Sequence, residues 1–158
     1  MTDRAVLLER YRTGSDAVEA ALAGITDEEL DQAPSDGGWT ARQVAHHLAD
    51  SEAMAYTRVR RLVADEDPQI AGYDEPGWAE RLHYERPIGE ALAVMRSVRA
   101  ASLALLETLT PDEWERAGTH SESGTYSVDR WLEIYANHPH EHAEQIRLAR
   151  GARGATQP

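Results

Sequence analysis

A chain of 158 residues with 28 acidic against 16 basic side chains carries a formal charge of −12 and contains no cysteine. Disulfides, thiolate metal ligands and a cysteine nucleophile are excluded, and so acidic a surface repels phosphate backbones, which argues against nucleic-acid binding. The length suits one domain able to bury a core without cross-links, and with no phenylalanine that core must come from Leu, Val, Ala, Trp and Tyr.

The opening run Ala5-Val6-Leu7-Leu8 is too short for a secretory leader, and nowhere do 18 apolar residues follow one another. A soluble, cytoplasmic protein with no membrane partner is expected. Leu8, Tyr11, Ser15, Val18, Leu22 and Ile25 recur at spacings of three and four, the stripe of a first amphipathic helix. Thr26-Asp27-Glu28-Glu29 reads as a capping box for a short turn, and Pro34 to Gly38 as a loop. A second helix starts at Thr40, with Gln43 completing a capping box and Trp39 placed to staple onto Val44. Its inward stripe is Val44, His47, Leu48, Ser51, Ala55, Val59 and Leu62.

Pro68 to Trp78 holds two prolines and two glycines and reads as a long crossing loop, followed by a short helix from Trp78 to Tyr84. The third long helix begins around Pro87, with Ala91, Met95, Val98, Ser102, Leu105 and Leu109 facing inward. Thr110-Pro111-Asp112-Glu113 caps another short helix, Gly118 to Ser127 reads as a small hairpin or plain loop, and a last helix runs from Val128 to about Ala149. The terminal Gly154 to Pro158 is expected to fray. Four amphipathic segments without a convincing strand predict an all-α fold, a four-helix bundle with a long crossover between its second and third helices. One domain spans residues 1–158, with an ordered core at about 4–150.

Histidines cluster in two places, His46-His47 and His138, His140, His142. Four residues along a helix advance the direction by about 40°, so His138 and His142 share a face with Trp131, Ile134, Tyr135, Gln145 and Ala149, all expected to be buried. His140 points away toward solvent. His47 lies on the inward stripe of its own helix, and His46 is turned about 100° from it. Three imidazoles from two helices thus face one interior, a donor set suited to zinc, nickel or iron that leaves a fourth position open. The competing reading is three core histidines hydrogen-bonded to protein. Glu141 is a candidate ligand or catalytic base, or else a solvated carboxylate at the helix edge. Asp50 is placed to orient a ligand imidazole, or is a surface charge. Pro139, between two of the proposed ligands, removes the hydrogen bond to Tyr135 and should kink the helix. The run from His138 to His142 is not the H-E-x-x-H of zinc proteases, and no phosphate-binding glycine loop occurs.

The run Trp39-Thr40-Ala41-Arg42-Gln43-Val44-Ala45-His46-His47-Leu48-Ala49-Asp50-Ser51 closely resembles the second-helix motif of the DinB-like superfamily. It is most similar to the branch of bacillithiol transferases and metal-dependent hydrolases. The run from Asp67 to Trp78 is similar to that branch's loop, and His138-x3-His142-x2-Gln145-Ile146 to its last-helix motif. The resemblance implies a four-helix bundle, commonly a homodimer, with a metal held by His47, His138 and His142. Zinc and nickel are the occupants it suggests. It further implies transfer of a low-molecular-weight thiol, of bacillithiol or mycothiol type, to an electrophilic small molecule. Pro139 and Glu141 depart from the family pattern and bear on fine geometry and substrate. Two other outcomes share the same ligands: a hydrolase using metal-bound water, and a non-enzymatic, metal-stabilised stress-response module.

Overall fold

The computed structural model describes residues 3–34 and 37–151. The expected first helix is two, α1 (Arg4–Arg12) and α2 (Gly14–Leu22), broken at Thr13. The short α3 (Asp27–Leu30) carries the capping box read from Thr26 and Glu29. Helix α4 (Ala41–Ala64) begins at Thr40, whose side chain and that of Gln43 cap each other's backbone, and every residue of its expected stripe is buried. Ser35 and Asp36 of the intervening loop, and the tail expected to fray, lie outside the described residues.

The crossover is more structured than its prolines and glycines suggested. It contributes β1 (Gln69–Ile70) and then α5 (Glu75–Arg81), which starts before Trp78 because Asp74 caps it and Pro76 suits its first turn. Helix α6 (Gly89–Leu106) starts two residues after Pro87. It buries Ala91, Met95, Arg99, Ser102 and Leu106, while Val98, Leu105 and Leu109 are only half-buried. An arginine in the buried line made the neighbouring register look more apolar. Helix α7 (Pro111–Trp114) is capped by Thr110 as expected.

Of the two readings of Gly118 to Ser127, the hairpin is the one found, and the absence of strands elsewhere is corrected by β1. β2 (Ala117–His120) and β3 (Gly124–Ser127) form an antiparallel hairpin, with Gly118 opposite Tyr126. β1 adds to its edge in parallel, with Ile70 opposite His120. A Cβ on Gly118 would lie 2.2 Å from the Pro68 carbonyl oxygen, so only glycine allows the crossover to approach this closely. The two-residue pairing of β1 leaves no alternation from which that strand can be read.

The last helix, α8 (Val128–Gly151), runs through Pro139, and Ser127 accepts a hydrogen bond from the Arg130 amide at its start. Side-chain partners set the helix directions. Arg4 with Asp129, Arg10 with Asn137 and Arg150 with the Ala21 carbonyl make α1 and α2 parallel to α8. Trp131, donating to the Ala55 carbonyl at 2.9 Å, and the meeting of His47 with His138 make α4 antiparallel to α8. Glu52 with Arg99 and Arg60 with Ser102 make α4 and α6 parallel. The bundle therefore runs up, down, down, up, and the crossover is what lets α4 and α6 share a direction. Its interior divides into a cluster around Trp131, Leu62 and Leu132 and another around Leu48, Val18 and Ile146. Among the described residues no helix is long and apolar enough to cross a membrane.

Candidate metal centre

The three expected histidines meet between the two clusters. The Nε2 of His138 lies 3.2 Å from that of His47 and 3.1 Å from that of His142. All three donor atoms fall within 4.8 Å of one another, and they form the group among the described residues suited to hold an ion. Nitrogens bound to one tetrahedral ion at about 2.0–2.1 Å sit about 3.3 Å apart, close to the spacing seen. The alternative of hydrogen-bonded core histidines fits poorly. The His138 Nε2 offers one hydrogen or one lone pair and cannot satisfy two ring nitrogens at once. The Nδ1 atoms of His47 and His138 are buried without partners, so the rings are not held by protein acceptors either.

Burial, and then the neighbouring imidazoles, push His47 down to about 4 and His138 down to about 3, while burial also lowers His142. The rings are neutral at neutral pH, the protonation state in which imidazole nitrogen binds a cation. The three side chains have different supports. His47 is 2% exposed and packs against Trp39, with ring centroids 4.7 Å apart. His138 meets Tyr135 edge-on at 6.4 Å. The Nδ1 of His142 is 2.9 Å from Gln145 Oε1, so Gln145 orients a ligand from an exposed position. Gln145 and Ala149 are exposed, contrary to the buried face expected of them; beyond Pro139 the buried positions of α8 are Ala143 and Ile146.

Pro139 does not disrupt the site, and the reason is Arg99. The Tyr135 carbonyl, which no amide at position 139 can reach, accepts a hydrogen bond from Arg99 Nη1 at 3.1 Å. The same guanidinium donates to Glu52 and to the Tyr11 carbonyl at the α1–α2 break, and lies 3.8 Å over the Tyr11 ring. Gly14 makes room for it: a Cβ there would lie 2.5 Å from Arg99 Nη2 and 3.2 Å from Pro139 Cγ. Burial raises the Glu52 carboxyl, and the adjacent guanidinium opposes that rise. One buried cation thus serves carbonyls at two helix irregularities.

Other candidates fall differently. Asp50 accepts a hydrogen bond from the Tyr84 hydroxyl at 2.5 Å and orients no ligand. His46 is within 3.0 Å of the Arg86 carbonyl and stacks on Tyr84, away from the triad. His140 is half-buried rather than solvent-facing, 2.9 Å from the Arg10 carbonyl, which ties α8 to α1. Glu141 is exposed, with its charge felt at His142. A second carboxylate, Glu75 at the start of α5, acts on His142 in the same way. Sequence reasoning missed Glu75 because the crossover had no expected register. Gln145 was legible only as the residue three places beyond His142.

Comparisons with known proteins agree with this architecture. Residues 10–146 match the model of the DinB superfamily. A protein of Oceanobacillus iheyensis provisionally named a metal-dependent hydrolase is 40% identical over 122 residues, covering 77% of this chain and 71% of its own. YfiT of Bacillus subtilis, with the same provisional name, is 36% identical over 132 residues, covering 82% and 74%. The solved YfiT structure, described as a probable metal-dependent hydrolase with an unusual four-helix bundle topology, superimposes with a TM-score of 0.90 over 98% of this chain and 91% of that one. The mycothiol-dependent maleylpyruvate isomerase shares the fold, with a TM-score of 0.72 at 14% identity over 97% and 69% of the two chains. With a match over most of its length, relatives at this identity and the same helix order, the chain belongs to the DinB superfamily.

Proposed function

We propose that this protein is a metal-dependent transferase that joins a low-molecular-weight thiol, of bacillithiol or mycothiol type, to an electrophilic small molecule. The observation that carries the reading is the convergence of three neutral Nε2 atoms from α4 and α8, which leaves a side of the site free of protein ligands. His47, His138 and His142 would hold a divalent ion, zinc or nickel as the family resemblance implies. Such an ion supplies Lewis-acid activation of the nucleophile that takes the free position. The protein's own part is to keep the imidazoles unprotonated, to wall the site from water with Trp39 and Tyr135, and to offer Glu75 or Glu141 as proton acceptors near His142. With no cysteine in the chain, any thiol must come from solution. Support for the thiol comes from the family resemblance and from a mycothiol-dependent protein of the same fold.

Hydrolysis is the second reading. It is favoured by the provisional names of the relatives and by the two carboxylates near His142, which suit a water nucleophile. Protein purified without an affinity tag should carry close to stoichiometric metal by elemental analysis, and His138→Ala should lose it. Conjugation of a chromogenic electrophile should then require both metal and added thiol. Metal-free wild type overturns the proposal, and turnover without thiol transfers it to the hydrolase reading.

A further inference from the structure

Two polar side chains beside the triad have no role in holding it. Tyr73, on the crossover, packs its ring on Trp78 with centroids 4.5 Å apart, and its hydroxyl is buried with no hydrogen-bond partner. Ser51, Arg58 and Tyr135 are its polar neighbours. Ser51 lies one turn beyond His47 on the same face of α4, so Tyr73 reaches the wall of the metal site. Arg58, two turns further along α4, donates to the Tyr135 hydroxyl at 2.9 Å and to the Ala71 carbonyl at 2.7 Å. Its Cζ is 5.9 Å from the Tyr73 ring centre, and its Nε–H is buried and unpartnered. Neither hydrogen-bond partner of this guanidinium is an anion. Tyr135 joins the pair to the triad, since its hydroxyl accepts from Arg58 and its ring meets His138.

Each buried donor without a partner costs about 1–3 kcal/mol, a cost recovered when a ligand supplies the acceptor. A guanidinium and a phenol, both donating and together carrying one positive charge, match a carboxylate. We propose that Arg58 and Tyr73 form a carboxylate-recognising subsite, which holds the anionic end of a small-molecule substrate while its reactive end faces the three imidazoles. The inference rests on the metal-site reading above and adds a substrate class to it.

The test is calorimetric titration of the zinc-loaded full chain, at fixed ionic strength, with succinate and with its neutral isostere succinamide. Wild type should bind succinate about tenfold more tightly or better, the scale of one hydrogen bond to a charged group. Arg58→Gln should abolish that preference, and Tyr73→Phe should weaken succinate binding about threefold to tenfold, both with zinc content unchanged. A wild type without charge preference overturns the subsite. So does a preference that survives both substitutions, because succinate would then be bound by the metal alone. Helicity is checked by circular dichroism; if Arg58→Gln does not fold, Tyr73→Phe decides, since it removes one oxygen and keeps the ring packing. Zinc content is measured separately. A chain that takes up no zinc overturns the metal reading, and loss of the succinate preference on substituting Arg58 then decides the subsite on the metal-free chain.

Discussion

Histidines 47, 138 and 142 are costly neighbours without a cation, because desolvation lowers the proton affinity of all three, His142 lowers that of His47, and both lower that of His138. An imidazole in the unfolded chain titrates near 6.5, whereas His47 is held at about 4 and His138 at about 3. Between those values the unfolded chain binds more protons than the folded one, so stability rises with pH through that window. Metal-free protein should be at full stability above pH 6.5 and lose it progressively as the pH falls toward 3. Urea midpoints of chelator-treated protein at pH 7, 5.5 and 4.5 will check this; identical midpoints would mean that the rings titrate as if exposed. At this scale much was legible beforehand. A four-residue interval on one helix and a histidine on the apolar stripe of another sufficed to name the three histidines that come together. The partners of those ligands were not legible. Trp39, Tyr135 and Gln145 reach the rings through rotamers and inter-helix distance, neither of which leaves a period in the chain.

Among the elements, α8 shows how a local rule can fail for a long-range reason. A proline inside a helix costs about 3 kcal/mol when the orphaned carbonyl finds no partner. Here Arg99, from a helix that is far away in sequence, supplies the partner. Pro139→Ala should therefore stabilise the protein by less than about 1 kcal/mol, since the regained helical bond displaces one already made. Equilibrium urea unfolding will measure it, and a gain near the full cost would show that the Arg99 contact contributes little. The expected buried stripe of α6 erred for the same reason: a buried arginine reads as a surface residue until Glu52, Tyr11 and Tyr135 are seen around it. The capping boxes at Thr26, Thr40 and Thr110 were read correctly because all their partners lie within three residues.

For the whole molecule, the triad joins α4 to α8, so a bound ion stabilises the bundle by mass action. Free metal at a hundred times its dissociation constant adds about 2.7 kcal/mol, which in a domain of this size raises the thermal midpoint by about 5–10 °C. Removing metal with a chelator should lower the midpoint by that amount, and scanning calorimetry before and after chelation will show it. No shift would mean that the ion, if present, binds folded and unfolded chains alike. The four-helix bundle and the long crossover were legible as a whole, but the three-stranded sheet that fastens the crossover was not, because its pairing joins residues 69–70 to residues 119–120. That fastening separates two tasks. A cation in the triad would be gripped by helices whose positions depend on the bundle interior, whereas Tyr73 and Glu75 hang from a strap stitched to the hairpin at Gly118. Substitutions in the strap should therefore change what lies beside the triad while leaving the spacing of the three imidazoles as it is.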